Sequence, residues 1–248
     1  MPEFIFHGEL RRFLAPARRG GTVRHGVAPH QSAKHAIEAL GVPHTEIGRL
    51  LVNGQAALLD CRLAPHDRIE VFPTEPPARI DPGGLPRFIA DAHLGRLARH
   101  LRFAGIDTLW ANAWKDAELV AIAGREGRIA LTCDRALLMH RALHAGCHVR
   151  SRQPLAQLAE VARRHALRLD AGRTSRCLEC NGLPEPVAKP LVAALVPPRS
   201  LAAFSEFWRC PDCRRIYWRG THWQRMHAVA AAVDRALAGN FSAEPASR

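Results

Sequence analysis

Near the N-terminus, the spacing of apolar and polar residues predicts short strands around a single helix. Four short apolar or alternating runs predict strands at residues 4–6, 22–24, 50–52 and 68–72. A helix is predicted at residues 32–40, with Ser32 as its N-cap and Gly41 as its stop. Asn53-Gly54 predicts a tight turn after the third strand. This ββαββ order is typical of a small β-grasp domain, which we place at residues 1–75.

From residue 87 onwards, predicted strands and helices alternate. The predicted strands lie at residues 87–90, 106–110, 128–132 and 148–150. The first predicted helix has Leu94, Leu97, Ala98 and Leu101 on its apolar face and ends at Gly105. Three more helices are predicted at residues 116–125, 135–144 and 153–165. Such alternation indicates an α/β domain with a parallel sheet and helices on both faces, at residues 87–170.

The remaining segments differ in composition from these two domains. Residues 76–86 are rich in proline and contain Gly83-Gly84, so they are predicted to form a flexible linker. Residues 171–227 carry four cysteines and form a third predicted unit. Residues 228–248 are predicted to form a C-terminal helix and a disordered tail.

The four cysteines of the third unit lie in two identical C-x-x-C pairs. Cys177 and Cys180 form the first pair, and Cys210 and Cys213 the second. Two such pairs supply the four thiolates of a tetrahedral zinc site, and a site closed by four cysteines holds structure rather than doing chemistry. The alternative is a pair of redox dithiols or disulfides. The stretch between the pairs is long for a compact finger and is predicted to make a ribbon excursion.

The charge of the chain points to a polyanionic partner. Its 35 Lys and Arg residues outnumber 23 Asp and Glu residues, for a net charge of +12, which favours nucleic acid. Only three of the basic residues are lysines, so a genomic base bias towards arginine is the alternative explanation. No apolar run is long enough to span a membrane, and the N-terminus lacks a signal-peptide pattern. With cysteines in metal spacing, these features favour the cytoplasm.

Three aspartates follow or open predicted elements of the α/β domain. Asp91 directly follows a strand, Asp134 lies two residues beyond another, and Asp116 opens a helix. Ligands of parallel α/β sheets gather at the C-terminal ends of strands, so the three carboxylates are expected to converge there. Carboxylate clusters select Mg²⁺ or Mn²⁺, which activate water and neutralise a phosphodiester under attack. The alternative for each aspartate is a helix cap.

Several arginines are candidate RNA contacts. Arg96, Arg99 and Arg102 follow Asp91 at intervals of three residues, and Arg135 follows Asp134. They are placed to hold phosphates flanking the acidic site, although a solvated helix face explains the spacing equally well. In the third unit, arginines alternate with four aromatic residues, Trp208, Tyr217, Trp218 and Trp223. These rings suit base stacking, but a small zinc module also needs a core, and we favour that role for Trp218 and Trp223.

Residues 87–227 resemble the PIN-like ribonucleases of the Mut-seven C-terminal type. The matching motifs are residues 88–91, 94–99, 116–119 and 128–135, both C-x-x-C pairs, and residues 217–223. The resemblance implies a metal-dependent ribonuclease that acts on RNA, with Asp91, Asp116 and Asp134 as ligands of Mg²⁺ or Mn²⁺.

The N-terminal segment resembles the ubiquitin-like domains related to the sulfur carriers of thiamine and molybdopterin synthesis. Residues 40–43, 52–54 and 66–73 carry this resemblance. It implies a protein partner for the first domain, and the pairing with a PIN-like domain fits an arrangement of that family. Two rival functions stay open. One is a non-catalytic RNA- or ribosome-binding protein, and the other is a sulfur-carrier-like module, which requires cleavage of the chain after Gly84.

Overall fold

A computed structural model of the chain describes residues 1–28, 30–75, 84–170 and 172–241. The chain divides into two compact units. One joins Met1–Pro76 to Val120–His148, and the other joins Pro77–Leu119 to Val149–Arg248. Residues 76–83 of the predicted linker and the last seven residues of the predicted tail lie outside the described residues. No helix in the described part of the chain is both long and apolar enough to cross a membrane.

The N-terminal segment forms a mixed five-stranded sheet with one helix. Its elements are β1 Glu3–Phe6, β2 Val23–Arg24, α1 Ala33–Ala39, β3 Ile47–Val52, β4 Gln55–Ala57 and β5 Arg68–Pro73. The strand order is β2-β1-β5-β3-β4, in which β1 and β5 pair in parallel and the other pairs are antiparallel. A parallel pair needs a crossover connection, and α1 lies within it. This arrangement confirms the β-grasp prediction.

Local sequence explains the ends of these elements. The Ser32 hydroxyl accepts a hydrogen bond from the His35 backbone N–H at 3.3 Å and caps α1, and Gly41 follows the helix with a φ of 96°. Asn53 and Gly54 both have positive φ, at 52° and 79°, as a two-residue hairpin between twisted strands requires. Phe4, Phe6, Ile37, Ile69 and Val71 are almost completely buried and form the core between α1 and the sheet.

Residues 120–148 contact the β-grasp segment within the same compact unit. The His44 side chain lies 2.8 Å from the Leu143 carbonyl through Nε2 and 2.6 Å from Glu38 through Nδ1. The Glu46 carboxylate, which is 2% exposed, accepts a hydrogen bond from the His148 backbone N–H at 2.7 Å. The His44–Leu143 and Glu46–His148 contacts join residues about 100 positions apart in the chain.

The middle of the chain alternates strands and helices as predicted. Its elements are β6 Phe88–Ala90, α2 Gly95–Phe103, β7 Thr108–Trp110, α3 Asp116–Glu126, β8 Ile129–Thr132, α4 Arg135–Leu138, β9 Gly146–His148 and α5 Pro154–Arg164. β6 pairs with β7 in parallel, with Phe88 opposite Thr108, and β8 pairs with β9 in parallel, with Ala130 opposite Gly146. The prediction of an α/β domain with parallel strands is confirmed.

Two elements of this region differ from their predicted extents. The helix predicted at residues 135–144 is a single turn that ends at Leu138, and the strand predicted at residues 148–150 lies at 146–148. The reason is that the chain returns to the sheet soon after α4. Gly146 lies so close to Leu138 that a Cβ added at Gly146 would be 2.5 Å from the Leu138 side chain. The strand therefore packs directly against the end of α4, and a longer helix would carry the chain away from this position.

The C-terminal part holds a small antiparallel sheet and a long helix. Its elements are β10 Glu185–Val187, α6 Pro198–Ala203, β11 Phe207–Arg209, β12 Ile216–Tyr217 and α7 Thr221–Phe241, and the strand order is β10-β11-β12. β10, α6 and a short 3-10 helix at Lys189–Val192 fill the excursion between the two cysteine pairs. Val192, Val196 and Phe207 form the core of this excursion.

Candidate functional site

The four cysteines form a compact group that fits one metal ion. Their Sγ atoms all lie within 4.8 Å of one another. The Sγ atoms of Cys177 and Cys213 are 3.4 Å apart, and those of Cys180 and Cys210 are 3.3 Å apart. A tetrahedral zinc with Zn–S bonds of about 2.3 Å places its sulfurs about 3.8 Å apart. The spacing of the four thiols is thus close to that of a zinc site.

Both cysteine pairs adopt the same turn. In each, the residue after the second cysteine donates its backbone N–H to the carbonyl of the first cysteine, from Asn181 to Cys177 and from Arg214 to Cys210, both at 3.0 Å. Asn181 and Arg214 have positive φ, at 73° and 64°. The repeated geometry explains why the C-x-x-C spacing alone predicted the site, because each turn is determined by local backbone bonds.

The surroundings of Cys177 favour its thiolate. Burial raises the pKa of this thiol. Hydrogen bonds from Tyr217 and from the backbone N–H groups of Cys180 and Glu179 have a larger, opposite effect and lower the pKa to about 7. The Tyr217 hydroxyl lies 3.0 Å from the Cys177 Sγ and accepts a hydrogen bond from the Leu178 N–H at 3.1 Å. Burial also raises the pKa of Tyr217, which keeps its hydroxyl protonated as a donor.

Arg102 supports the first cysteine turn, and this corrects its predicted role. The residue is 1% exposed, and its guanidinium donates to the carbonyls of Thr108 at 2.8 Å, Leu178 at 3.0 Å and Glu179 at 2.8 Å. Burial lowers its pKa, and the nearby Cys177 and Cys180 oppose that change. Arg102 is therefore a structural cation rather than an RNA contact.

The helical geometry of α2 explains the error for Arg102. Side chains three residues apart differ in direction by about 300° around the helix axis, which is about 60° short of a full turn. Arg99 therefore points about 60° away from Arg96, and Arg102 about 60° further round. The first two arginines are exposed, whereas the third turns into the protein. A helical projection of α2 would have separated them.

Asn181 and Asp107 tie the same turn to β7, a structural role that the sequence pattern had not assigned to either residue. The Asn181 side chain accepts a hydrogen bond from the Thr108 N–H at 3.0 Å and donates to the Asp107 carboxylate at 2.8 Å. Arg176 lies 3.7 Å from the other oxygen of that carboxylate. The position of Asn181 directly after a C-x-x-C pair, where a positive φ favours asparagine, is the clue in the sequence.

The three predicted metal-binding aspartates lie where the sequence placed them relative to their own elements. Asp91 directly follows β6, and its carboxylate accepts the His93 N–H at 2.9 Å. Asp134 follows β8 by two residues, and its carboxylate accepts the Ala136 N–H at 2.8 Å. Asp116 is exposed and begins α3. Asp91 thus caps a short 3-10 helix at Ala92–Leu94, and Asp134 caps α4. In the described parts of the chain only the cysteines form a compact metal-ligand group. The role of the aspartates in binding a catalytic metal stays a prediction.

The other predicted RNA contacts are exposed. Arg96 and Arg99 lie on the surface of α2. Arg135 is also exposed, although its guanidinium lies over the Phe13 ring at 5.4 Å and donates to the Phe13 carbonyl at 3.4 Å. The binding of RNA by these three residues stays a prediction.

The aromatic residues of the zinc module serve its core and also line a groove. Trp218 packs with Phe207, with ring centroids 6.3 Å apart, and Trp223 packs with Phe103 at 6.0 Å. Both tryptophans therefore pack against hydrophobic clusters, as the sequence analysis favoured. Both also line an open groove of about 740 Å³ beside the cysteine site, together with Trp208 and Tyr217.

Comparison with protein families accounts for nearly the whole chain. Residues 86–230 match the family model described as the Mut7-C RNAse domain. The chain belongs to the Mut7-C RNAse domain family. Residues 1–79 match a second model, described as Mut7-C ubiquitin. Comparison with curated proteins and with solved structures finds no match.

The Mut7-C membership confirms the resemblance found in the sequence. The Mut7-C RNAse match includes both cysteine pairs and the start of α7, so the zinc module belongs to the matched region. The Mut7-C ubiquitin match covers the β-grasp sheet.

Proposed function

We propose that the chain is a metal-dependent ribonuclease that hydrolyses phosphodiester bonds of RNA. Its membership of the Mut7-C RNAse domain family carries this proposal. Asp91, Asp116 and Asp134 would hold Mg²⁺ or Mn²⁺ through carboxylate oxygens, which are the ligands these hard cations prefer. The positions of Asp91 after β6 and Asp134 after β8 support this choice, because ligands of α/β proteins gather beyond the carboxyl ends of parallel strands.

The roles of the protein groups follow from this assignment. A hard cation supplies Lewis-acid stabilisation of the phosphodiester and lowers the pKa of a bound water. The aspartates hold it, and the exposed guanidinium groups of Arg96, Arg99 and Arg135 would contact flanking phosphates. The thiols of the zinc site would all be occupied as ligands, so that site has a structural role and takes no part in hydrolysis.

The test is cleavage of end-labelled single-stranded and hairpin RNA with added Mg²⁺ or Mn²⁺. We expect Asp91→Asn/Asp134→Asn to lose activity by about 100-fold or more, the scale of losing an electrostatic stabiliser of the transition state. Asparagine caps helices as well as aspartate does, so the variant should stay folded. Asp60→Asn removes an exposed carboxylate elsewhere and serves as the matched control.

A non-catalytic RNA-binding protein is the second candidate, favoured by the arginine-lined groove of the zinc module. Under this alternative, wild type and the double aspartate variant bind RNA equally and neither cleaves it. That outcome would replace the nuclease proposal.

The ubiquitin-like domain supports a further proposal, a protein partner for residues 1–79. A sulfur-carrier role would need a free carboxylate on Gly84, which only cleavage of the chain after this residue produces. An intact mass of 27.4 kDa in purified protein would argue against the carrier version.

A further inference from the structure

A groove in the C-terminal part of the chain combines positive charge with half-buried aromatic side chains. We call it the arginine–tryptophan groove. Its volume is about 740 Å³, and its walls come from α2, the residues before the first cysteine turn, β12 and the start of α7. Leu178 and Tyr217, which contact the cysteine site, also line it, so zinc binding and the shape of the groove are linked.

The groove has a strongly positive lining. Among its described lining residues there is no aspartate or glutamate, whereas six are arginines: Arg99, Arg173, Arg176, Arg199, Arg215 and Arg219. The wall therefore suits an anionic ligand with several charges. Backbone and acidic partners outside the lining hold Arg173 and Arg176 in place, through the carbonyls of Ala104 and Asn181 and the Asp107 carboxylate.

Two of these arginines have partners that phosphates can replace. Arg219 lies 4.0 Å from Glu206, with both side chains at least 60% exposed, and Arg215 lies 3.5 Å from Glu179. Exposed ion pairs contribute little to stability, so breaking them costs little. Exchanging these carboxylate partners for phosphates would therefore cost both guanidinium groups little.

Trp208 provides a stacking surface beside these charges. Trp218 and Trp223 are partly committed to hydrophobic clusters, whereas Trp208 is half-buried on β11 with its ring near Arg219. The Arg219 guanidinium carbon lies 5.3 Å from the Trp208 ring centroid and 5.5 Å from that of Trp223. Aromatic rings that line a groove next to guanidinium groups bind unpaired bases, because every base has a π-face.

The N-terminus of the long helix α7 adds a positive electrostatic field to the groove. It begins at Thr221, and Thr221, His222 and Trp223 of its first turn line the groove. The positive end of a helix dipole and its unsatisfied N–H groups attract phosphate.

We propose that the arginine–tryptophan groove binds single-stranded RNA, with a base stacked on Trp208 and phosphates on Arg215 and Arg219. RNA as the ligand rests on the proposed ribonuclease function, but binding here does not require the catalytic aspartates. Unpaired RNA is favoured over a duplex because stacking on a side chain needs an exposed base face. An acidic peptide would satisfy the arginines, but its carboxylates provide no base to stack on Trp208.

The test measures binding of a fluorescein-labelled 12-nucleotide single-stranded RNA by anisotropy. It uses full-length, zinc-loaded protein carrying Asp91→Asn/Asp134→Asn, without Mg²⁺ or Mn²⁺, so that cleavage does not interfere. Trp208→Ala should raise the Kd by about 5- to 150-fold, the range for one stacked base, and Trp208→Phe should restore most of the binding. The zinc content of each variant reports on its fold.

The arginines are tested through the salt dependence of the same binding. Arg215→Ala/Arg219→Ala should weaken binding and lower the slope of log K against log salt by about 1.4, since each phosphate contact on a single strand contributes about 0.7. The matched control is Arg225→Ala/Arg235→Ala, which removes two exposed arginines of α7 that do not line the groove. The control pair should keep the wild-type Kd and slope.

Three results would overturn the proposal. The first is a Trp208→Ala variant that retains its zinc and binds with the unchanged Kd. The second is equal binding of a 12-base-pair duplex. The third is displacement of the RNA by an acidic peptide that binds independently of Trp208, which would assign the groove to a protein partner.

The proposals for the groove and for the nuclease fail separately. RNA binding that needs Trp208, in a protein that never cleaves RNA, would retain the groove and reject the nuclease. Metal-dependent cleavage with a Kd unaffected by Trp208→Ala would do the opposite.

Discussion

The cysteine site and the three aspartates are both candidate metal sites, but the protein builds them differently. The thiols lie within 4.8 Å of one another, in two turns of the same geometry, and the buried Arg102 supports the first of these turns. The carboxylates of Asp91 and Asp134 instead accept backbone N–H hydrogen bonds from the helical turns that follow them. Local backbone bonds hold the soft ligands together in the folded chain, whereas the carboxylates of Asp91 and Asp134 also cap the helical turns beside them. We therefore expect zinc to govern folding and the aspartates to govern activity.

Removing zinc should have the largest effect on stability. Structural zinc contributes on the order of 10 kcal/mol to folding in small zinc domains. We expect chelation, or Cys210→Ala, to unfold the zinc module, as measured by thermal unfolding with metal analysis. Cys133→Ala removes an exposed cysteine outside the group and is the control, which should melt like wild type. An unchanged melting curve in zinc-free protein would show that the cysteines do not hold the fold.

Arg102→Ala should have the next largest effect. The change leaves the carbonyls of Thr108, Leu178 and Glu179 without their buried donor. We expect a loss of about 2–4 kcal/mol in the free energy of unfolding and a 10- to 100-fold weaker zinc affinity. Denaturant unfolding and competition with a zinc chelator measure the two quantities. Arg99→Ala, on the exposed side of the same helix, should change stability by less than about 0.5 kcal/mol. Equal effects of the two changes would contradict a supporting role for Arg102.

Changes at the aspartates should have the smallest effect on stability. Asn at positions 91 and 134 keeps a capping oxygen, so the free energy of unfolding should stay within about 0.5 kcal/mol of wild type. Alanine at either position removes the cap and should cost about 1 kcal/mol. Thermal unfolding of the zinc-loaded variants distinguishes these outcomes. A large loss with asparagine would mean that the negative charges themselves stabilise the fold.

Features set by local chemistry were predictable from the sequence. The cap at Ser32, the Asn53-Gly54 turn and the C-x-x-C turns each depend on neighbouring residues, and the structure contains all of them. The alternation of strands and helices likewise indicated parallel pairing, which β6 with β7 and β8 with β9 show.

Features set by distant contacts were not predictable in the same way. The burial of Arg102 depends on carbonyls more than 70 residues away, which a regular three-residue spacing does not reveal. The contact of residues 120–148 with the β-grasp segment depends on side chains such as His44 and Glu46, whose partners lie about 100 residues away. The proposed catalytic role of the aspartates cannot be decided from local sequence either, because no local pattern distinguishes a metal ligand from a helix cap.

Binding of Mn²⁺ to zinc-loaded protein tests the separation of the two sites most directly. Electron paramagnetic resonance measures free Mn²⁺ during a titration, and metal analysis counts zinc in the same samples. We predict that wild type binds Mn²⁺, that Asp91→Asn/Asp134→Asn does not, and that both retain one zinc per chain. Equal Mn²⁺ binding by the two proteins would contradict the account, because the aspartates would then be helix caps and no more.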